Sequence, residues 1–245
     1  MKVWIACAPD HIRAIYGTWD DCKAATTGVK GARHQSVASY ERAKAMLDGP
    51  GVVMPRGRYV FTDGNKQGGV GVVHVEQGLQ DALRVRCTGT SVHEIFRDVG
   101  LPGLESPRAV GEELRLRGNI LAEIAGAYHA VRLAPEGSAF TLVYDFVGVG
   151  LWLERGSAFT MVREYMGVSA IPAKPWRRDG GPTIDAVVKA CQRLGREREL
   201  KVALQYQPGH QKTKCGLDDF ARWNTLADQL AREGATAEQD CLSPD

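Results

Sequence analysis

Four carboxylates in this chain stand at the ends or margins of regular elements, where side chains from distant segments can converge on one point. The first is Asp63, in Tyr59-Val60-Phe61-Thr62-Asp63-Gly64-Asn65, followed by a glycine-rich turn and a second apolar run, Gly68-Gly69-Val70-Gly71-Val72-Val73. Period-two alternation places Tyr59, Phe61 and Asp63 on one face of a strand. The carboxylate therefore ends an apolar row, where an ionised group is costly to bury unless a cation binds it. A metal site is the chemistry this suggests. The alternative is an Asp-Gly turn in an ordinary hairpin, which accounts for the Asp-Gly pair but not for the longer glycine spacing.

The other three acids repeat the theme. The run from Asn119 to Val131 has helical periodicity, with Ile120, Leu121, Ile124, Ala127, Tyr128 and Val131 on one face and Glu123 on the border of that stripe. Glu123 can thus point along the packed surface toward a sheet, although taken alone it reads as a surface glutamate. Asp145 closes the β-rich run Phe140-Thr141-Leu142-Val143-Tyr144 just before a helical stretch ending near Trp152. Strand carboxyl ends in α/β sheets gather ligand sites, while an Asp capping the next helix is equally compatible. In the last helix Phe220, Trp223, Leu226, Ala227 and Leu230 make the buried face, with Asn224 and Asp228 one turn apart along its margin. Upstream, the turn-rich Gln207-Pro208-Gly209-His210-Gln211-Lys212 presents a histidine; a loop histidine is usually only a solvated side chain.

The order Phe61-Thr62-Asp63-Gly64, Ala122-Glu123-Ile124, Tyr144-Asp145-Phe146, Gly209-His210 and Asn224-Thr225-Leu226-Ala227-Asp228 resembles the ribonuclease H family of type 1, over roughly residues 56 to 235. Each motif alone is weak; the five in that order form a strong signal. The resemblance implies an endoribonuclease that hydrolyses the RNA strand of RNA/DNA hybrids, leaving 3′-hydroxyl and 5′-phosphate ends. Asp63, Glu123, Asp145 and Asp228 would bind two Mg2+ ions, with Mn2+ as the other ion to consider. Four converging carboxylates repel unless divalent cations neutralise them, and such ions can lower the pKa of an attacking water and stabilise the leaving oxygen. Asp63 would bridge the ions, His210 would assist proton transfer or product release, and Asn224 would hold the site. Glu123, with the backbone near Gly64 and Asn65, would recognise a 2′-hydroxyl, so little base-sequence preference is expected.

The front of the chain has its own pattern. Gly17-Thr18-Trp19-Asp20-Asp21-Cys22-Lys23, then Gly28-Val29-Lys30-Gly31-Ala32-Arg33 and Tyr40-Glu41-Arg42-Ala43, look like the hybrid-binding, or viroplasmin-like, domain found ahead of many ribonucleases H. That likeness implies Trp19 and Trp4 on the DNA side and the Gly28 to Gly31 loop on the RNA side, with Arg33 beside them; double-stranded RNA is a second ligand it suggests. The plainer reading is that the two tryptophans fill a thin core. Gln35 and Ser36 stand where the family commonly has lysines, and Ala14 lies near the place of a usual glycine. Lys23, Lys30 and Arg33 are left as the cations at hand, and phosphate neutralisation should be weaker. A helix is expected over about 39 to 47, capped by Ser39.

The expected fold is α/β: a ribonuclease H-like mixed five-stranded sheet with flanking helices, preceded by a small α+β hybrid-binding domain. The expected division is residues 1–48 for the front domain, 49–57 for a Gly/Pro-containing linker, 58–235 for the catalytic domain and 236–245 for a flexible tail. Residues from about 79 to 117 exceed what a minimal hairpin pair needs, and Ser91 to Phe96 reads as a short added helix. After Trp152 the basic protrusion of some family members is replaced by Gly156-Ser157-Ala158-Phe159-Thr160, which shifts substrate grip toward the front domain.

With 31 basic and 29 acidic residues the net charge is +2, so overall charge gives no argument for nucleic acid; Arg115 and Arg117, Arg177-Arg178 and Arg193 to Arg198 are the local basic clusters. The six cysteines show no C-x-x-C pair or zinc-ligand spacing, which fits a reducing compartment. The first residues are too short in apolar run for a signal peptide or membrane span. A cytoplasmic monomer without membrane contact is expected. From a different class, a hybrid- or double-stranded-RNA-binding protein with weak or no turnover remains open, as does a related polynucleotidyl transferase.

Overall fold

A computed structural model of the chain describes residues 2–37, 39–48, 54–78, 83–97, 99–162, 181–207 and 219–242, with side chains described as far as residue 234. The first segment forms β1 (Val3–Ala8), β2 (Ala14–Tyr16), α1 (Trp19–Thr26), β3 (Arg33–Val37) and α2 (Tyr40–Asp48). Its three strands make an antiparallel sheet in the order β2-β1-β3. Both helices start as their sequences dictate: Thr18 Oγ1 accepts the Asp21 N–H at 3.2 Å, and Ser39 Oγ accepts the Arg42 N–H at 3.2 Å. The core is Val3, Ile5, Val37, Ala43, Met46 and Leu47 with Cys7. Neither tryptophan belongs to it, so the core-filling reading of Trp4 and Trp19 is not what the fold shows.

The remainder forms β4 (Gly57–Gly64), β5 (Gly69–Gln77), β6 (Leu83–Ser91), α3 (Val92–Phe96), α4 (Pro107–Arg117), α5 (Asn119–Leu133), β7 (Ala139–Tyr144), α6 (Val147–Leu153), β8 (Phe159–Met161), α7 (Pro182–Glu197), β9 (Lys201–Tyr206) and α8 (Asp219–Leu242). The sheet order is β6-β5-β4-β7-β9-β8, antiparallel through β6, β5 and β4 and parallel from β4 onward. Five of these strands are the mixed sheet expected; the three-residue β8 extends its parallel edge. The long 79–117 segment supplies β6, the Ser91-capped α3 and α4.

Alternation along β4 divides the core. Val60, Leu142 and Tyr144 face a layer containing α5 and α7, while Tyr59, Phe61 and Val143 face α8 through Phe220, Trp223 and Ala227. The helix α5 departs from the one-faced pattern its periodicity suggests: every residue from Leu121 to Val131 is buried, because the sheet, α4 and α7 enclose it. On the other face α8 lies unusually near the strands. A Cβ at Gly71 would fall 1.8 Å from the Ala227 carbonyl oxygen and 2.8 Å from the Ala231 nitrogen, both backbone atoms of α8. We expect Gly71→Ala to destabilise the protein by about 3 kcal/mol or more, since neither the strand nor the helix backbone can yield cheaply. Thermal unfolding should register this as a fall of roughly 6–12 °C, and an unchanged transition would show that α8 sits farther from β5.

Two boundaries differ from expectation. Met54, inside the stretch read as linker, is 3% exposed and packs with Tyr59, Phe61, Phe220 and Trp223, and its N–H donates to Asp219 Oδ2 at 3.2 Å. The tail expected from residue 236 is helical as far as Leu242. Cys22, Cys87 and Cys191 are free, whereas Cys7 is disulfide-bonded, which its sequence spacing did not foretell. Among the described residues no helix is long and apolar enough to cross a membrane.

Candidate active site

Three of the four acids meet at the carboxyl ends of β4 and β7. Asp63 is the penultimate residue of β4, Asp145 directly follows β7, and Glu123 comes from the first turns of α5. Ligand oxygens of the three lie within 4.8 Å of one another. They can approach because Gly64 has no side chain: a Cβ there would stand 2.4 Å from the carbonyl carbon of Ala122 and the nitrogen of Glu123. The start of α5 thus crosses directly over the end of β4, and the Asp-Gly pair serves this crossing rather than a tight turn.

The cluster is electrostatically poised for a cation. Burial raises the Asp63 pKa to about 8, helped by the negative charges of Asp145 and Asp228 and opposed by the Gly64 backbone N–H. Glu123, only 3% exposed, is raised well above the usual carboxylate range by burial first and then by Asp145 and Asp63. Its Oε2 is buried with no hydrogen-bond partner among the described residues. Three carboxylates this close repel one another when ionised, which favours protons remaining in the cluster. A divalent cation would replace those protons and satisfy the orphaned oxygen; the donor set, all carboxylate oxygen, suits a hard ion.

Asp228 takes a different position from the other acids. On α8 its Oδ2 accepts from Arg232 Nη2 at 2.5 Å, and it lies outside the three-acid cluster although its charge reaches Asp63. Asn224, one turn earlier, is buried rather than marginal, and its Oδ1 has no hydrogen-bond partner among the described residues. Asn65 is committed within the protein: its Oδ1 accepts from the Gln67 and Gly69 N–H groups at 2.9 and 3.0 Å, and its Nδ2 donates to Ala231 O at 2.7 Å. Its side chain therefore ties the β4–β5 hairpin to α8 instead of facing a ligand. Gly209 and His210, like Arg177 and Arg178, lie outside the described residues. Sequence reasoning passed over Tyr206, at the end of β9, which is near enough for the Asp145 charge to raise its pKa further after burial has done so. Its signal was positional only, an aromatic in register with Tyr144, the residue before Asp145.

A second surface lies on the small sheet. The rings of Trp4 and Trp19 have centroids 4.6 Å apart, Trp19 and His34 are 5.3 Å apart, and Lys2 Nζ sits 5.2 Å from the Trp4 centroid. Trp19 is 38% exposed. An exposed aromatic beside a cation is the arrangement on which a base or sugar stacks. His34 was not singled out from sequence; it joins because Trp4 and Ser36 are cross-strand partners and His34 stands two residues along the same face. Gly28 and Gly31 both take φ of +78° in an open loop, a conformation that suits glycine, and Arg33 opens β3 just beyond.

Residues 10–47 match the family model of the ribonuclease H1 N-terminal domain. No curated protein sequence matches the chain. Among solved structures, that of the PFV RNase H domain, determined in solution, aligns with a TM-score of 0.43 at 16% identity, covering 75% of this chain and 98% of its own. The match at residues 10–47 agrees with the hybrid-binding pattern read from the motifs at the front of the chain: this segment is similar to the ribonuclease H1 N-terminal domain.

Proposed function

We propose that this protein is a ribonuclease H, an endonuclease that cleaves the RNA strand of RNA/DNA hybrids with Mg2+ and leaves 3′-hydroxyl and 5′-phosphate ends. The observation that carries the reading is the trio Asp63, Glu123 and Asp145, gathered at the strand ends with a buried, unpartnered Glu123 oxygen. Divalent ions bound there would supply an activated water and charge stabilisation at the leaving oxygen. Asp63, at the end of the interior strand β4, would hold the ions together with Glu123 and Asp145. Glu123, whose backbone crosses over Gly64, would accept a hydrogen bond from a ribose 2′-hydroxyl, the group that separates RNA from DNA. Asp228, now paired with Arg232, would be the fourth acid to hold the ions, supplying a further carboxylate oxygen. Asn224 braces the α8 side, and His210 assists proton transfer or product release. The Trp4–Trp19–His34 surface grips the DNA strand.

The Asp228–Arg232 pair also favours a second reading, a hybrid-binding protein with little turnover, because it leaves three acids rather than four in the cluster. One end-labelled RNA, annealed to DNA, annealed to RNA or left single, with Mg2+ or with chelator, separates the two. Cutting confined to the hybrid and to metal is expected; tight hybrid binding without cutting selects the second reading. In the same assay Trp19→Ala should raise KM about ten-fold with kcat unchanged, since one stacking contact contributes ~1–3 kcal/mol to binding alone. A kcat loss of that size would instead place Trp19 in the chemistry.

A further inference from the structure

The larger sheet has an open edge. Strand β6 is its outermost antiparallel strand, nine residues long, and pairs with β5 from Leu83 opposite Gln77 to Ser91 opposite Gly69 without a register shift. Residues 83–89 are all exposed, and among the described residues no backbone hydrogen bond outside the β5 ladder reaches them. Alternate N–H and C=O groups along such a strand point away from the sheet with nothing to pair with. Neither a proline nor a bulge interrupts the row. Its one protection is charge, in Arg84 and Arg86.

The two faces of this edge differ in chemistry. Arg84 and Arg86 stand opposite Glu76 and His74, on the face that Val70 and Val72 turn toward α5. Glu76 is taken by Arg58 at 3.3 Å, and Glu94 of α3 accepts from the Thr90 hydroxyl at 2.9 Å. Neither arginine has a carboxylate partner among the described residues, and the Arg86 charge adds to burial in lowering the His74 pKa. Leu83, Val85 and Cys87 fall on the other face, in register with Gln77, Val75 and Val73. Helix α8 packs on Val73 and Val75 but leaves Leu83 45% and Val85 36% exposed. A strand added here meets two unpaired cations on one face and an apolar row on the other.

We propose that β6 is a docking edge for an extended segment of a partner protein in which acidic and apolar residues alternate, the acids facing Arg84 and Arg86 and the apolar side chains continuing the row of Leu83, Val85 and Cys87. Main-chain hydrogen bonds supply the affinity of such strand addition, and alternate side chains supply its specificity. A second copy of this chain fits poorly: antiparallel self-pairing of residues 83–89 sets Arg86 opposite Arg86 of the second copy, and like charges directly opposite are destabilising. A sugar-phosphate backbone would satisfy the arginines, but it has no alternating row of N–H donors for the strand carbonyls and no use for the apolar face. The edge shares no residue with the acid cluster, so it stands independently of the nuclease reading.

The probe is a fluorescein-labelled peptide of about eight residues alternating Glu and Val, titrated into the full chain and followed by anisotropy, with amide hydrogen exchange of residues 83–88 read alongside. Saturable binding and slowed exchange over 83–88 are expected. The double variant Arg84→Glu, Arg86→Glu should bind this peptide at least about ten-fold more weakly and take up the Lys/Val counterpart instead, because each reversed pair turns a cross-strand attraction into a repulsion. Both positions are exposed, so the variant should keep the parent's circular dichroism and hybrid cleavage. N-methylation of the peptide at alternate residues should abolish binding in one alternation and spare it in the other; equal affinity for both would reduce the contact to simple charge attraction and overturn strand addition. Absence of binding by the parent at about 1 mM peptide would overturn it as well. Protection of 83–88 that grows with protein concentration alone would give the edge to a second copy, and protection by an oligodeoxynucleotide in place of the peptide would give it to nucleic acid; either result overturns the proposed partner.

Discussion

Asp63→Asn should lower hybrid cleavage by at least about 10³-fold while leaving the fold intact. Asp63 stands at the end of the central strand β4, between Glu123 and Asp145, and is the acid that both other members of the cluster and Asp228 surround. Losing one anionic metal ligand removes several kcal/mol of transition-state stabilisation, and about 4 kcal/mol corresponds to that rate loss. Asparagine has the same shape, so packing against β4 and α5 is preserved, and one repulsive charge leaves the cluster. Hybrid affinity, carried in part by the aromatic surface, should fall far less than kcat. Cleavage within ten-fold of the parent protein would rule out Asp63 as a metal ligand.

The second large effect concerns stability in the absence of metal. Burial, reinforced by neighbouring acids, raises Asp63 to about 8 and lifts Glu123 well above the usual carboxylate range. Between the ordinary carboxylate pKa of about 4 and that raised value, the folded protein holds protons that the unfolded chain has released. The folded state is thus favoured at low pH and loses stability as pH rises through about 8, the reverse of a salt-bridged carboxylate. Thermal melts in chelator from about pH 5 to pH 8.5 should show this cluster pulling Tm downward. Added Mg2+ should restore more at the alkaline end, where the acids are ready to bind it without releasing protons.

Glu123→Gln isolates the contribution. It removes the buried charge whose Oε2 has no hydrogen-bond partner among the described residues, so the metal-free protein should gain about 1–3 kcal/mol at alkaline pH. The Mg2+-dependent rise in Tm should shrink, and hybrid cleavage should be lost. A variant that is less stable than the parent in chelator at alkaline pH would show that Glu123 is held by protein contacts and is not an open ligand.

Much of this molecule is written in local patterns. Alternation in 59–63 put Asp63 on the same side as Tyr59 and Phe61, and the core divides along that line. Ser39 announced the start of α2 because its hydroxyl satisfies an N–H group that no helix turn can reach. The buried face of α8 followed from 3.6-residue periodicity. Such features depend on neighbours within a few residues, and the motif order supplied the candidate acids on the same basis.

What needed the tertiary structure involves partners far apart in sequence. The burial of Glu123 depends on α5 being enclosed on all sides, and the reach of Glu123 to Asp63 depends on Gly64 admitting a backbone from 58 residues away. Asp228 matches the motif as well as the others do, yet its helix position puts Arg232 one turn away, and short-range pairing takes its carboxylate out of the trio. Asn65 was expected to serve through its backbone; that its side chain would bind Ala231 O depends on the close approach of α8 that Gly71 permits. Met54 looks like linker because nothing near it in sequence is regular; its burial against Phe220 and Trp223 arises only when α8 folds back on β4. Sequence by itself determined which residues could do the chemistry and which elements carry them. Packing between distant backbones decided which of them meet and how much charge is buried.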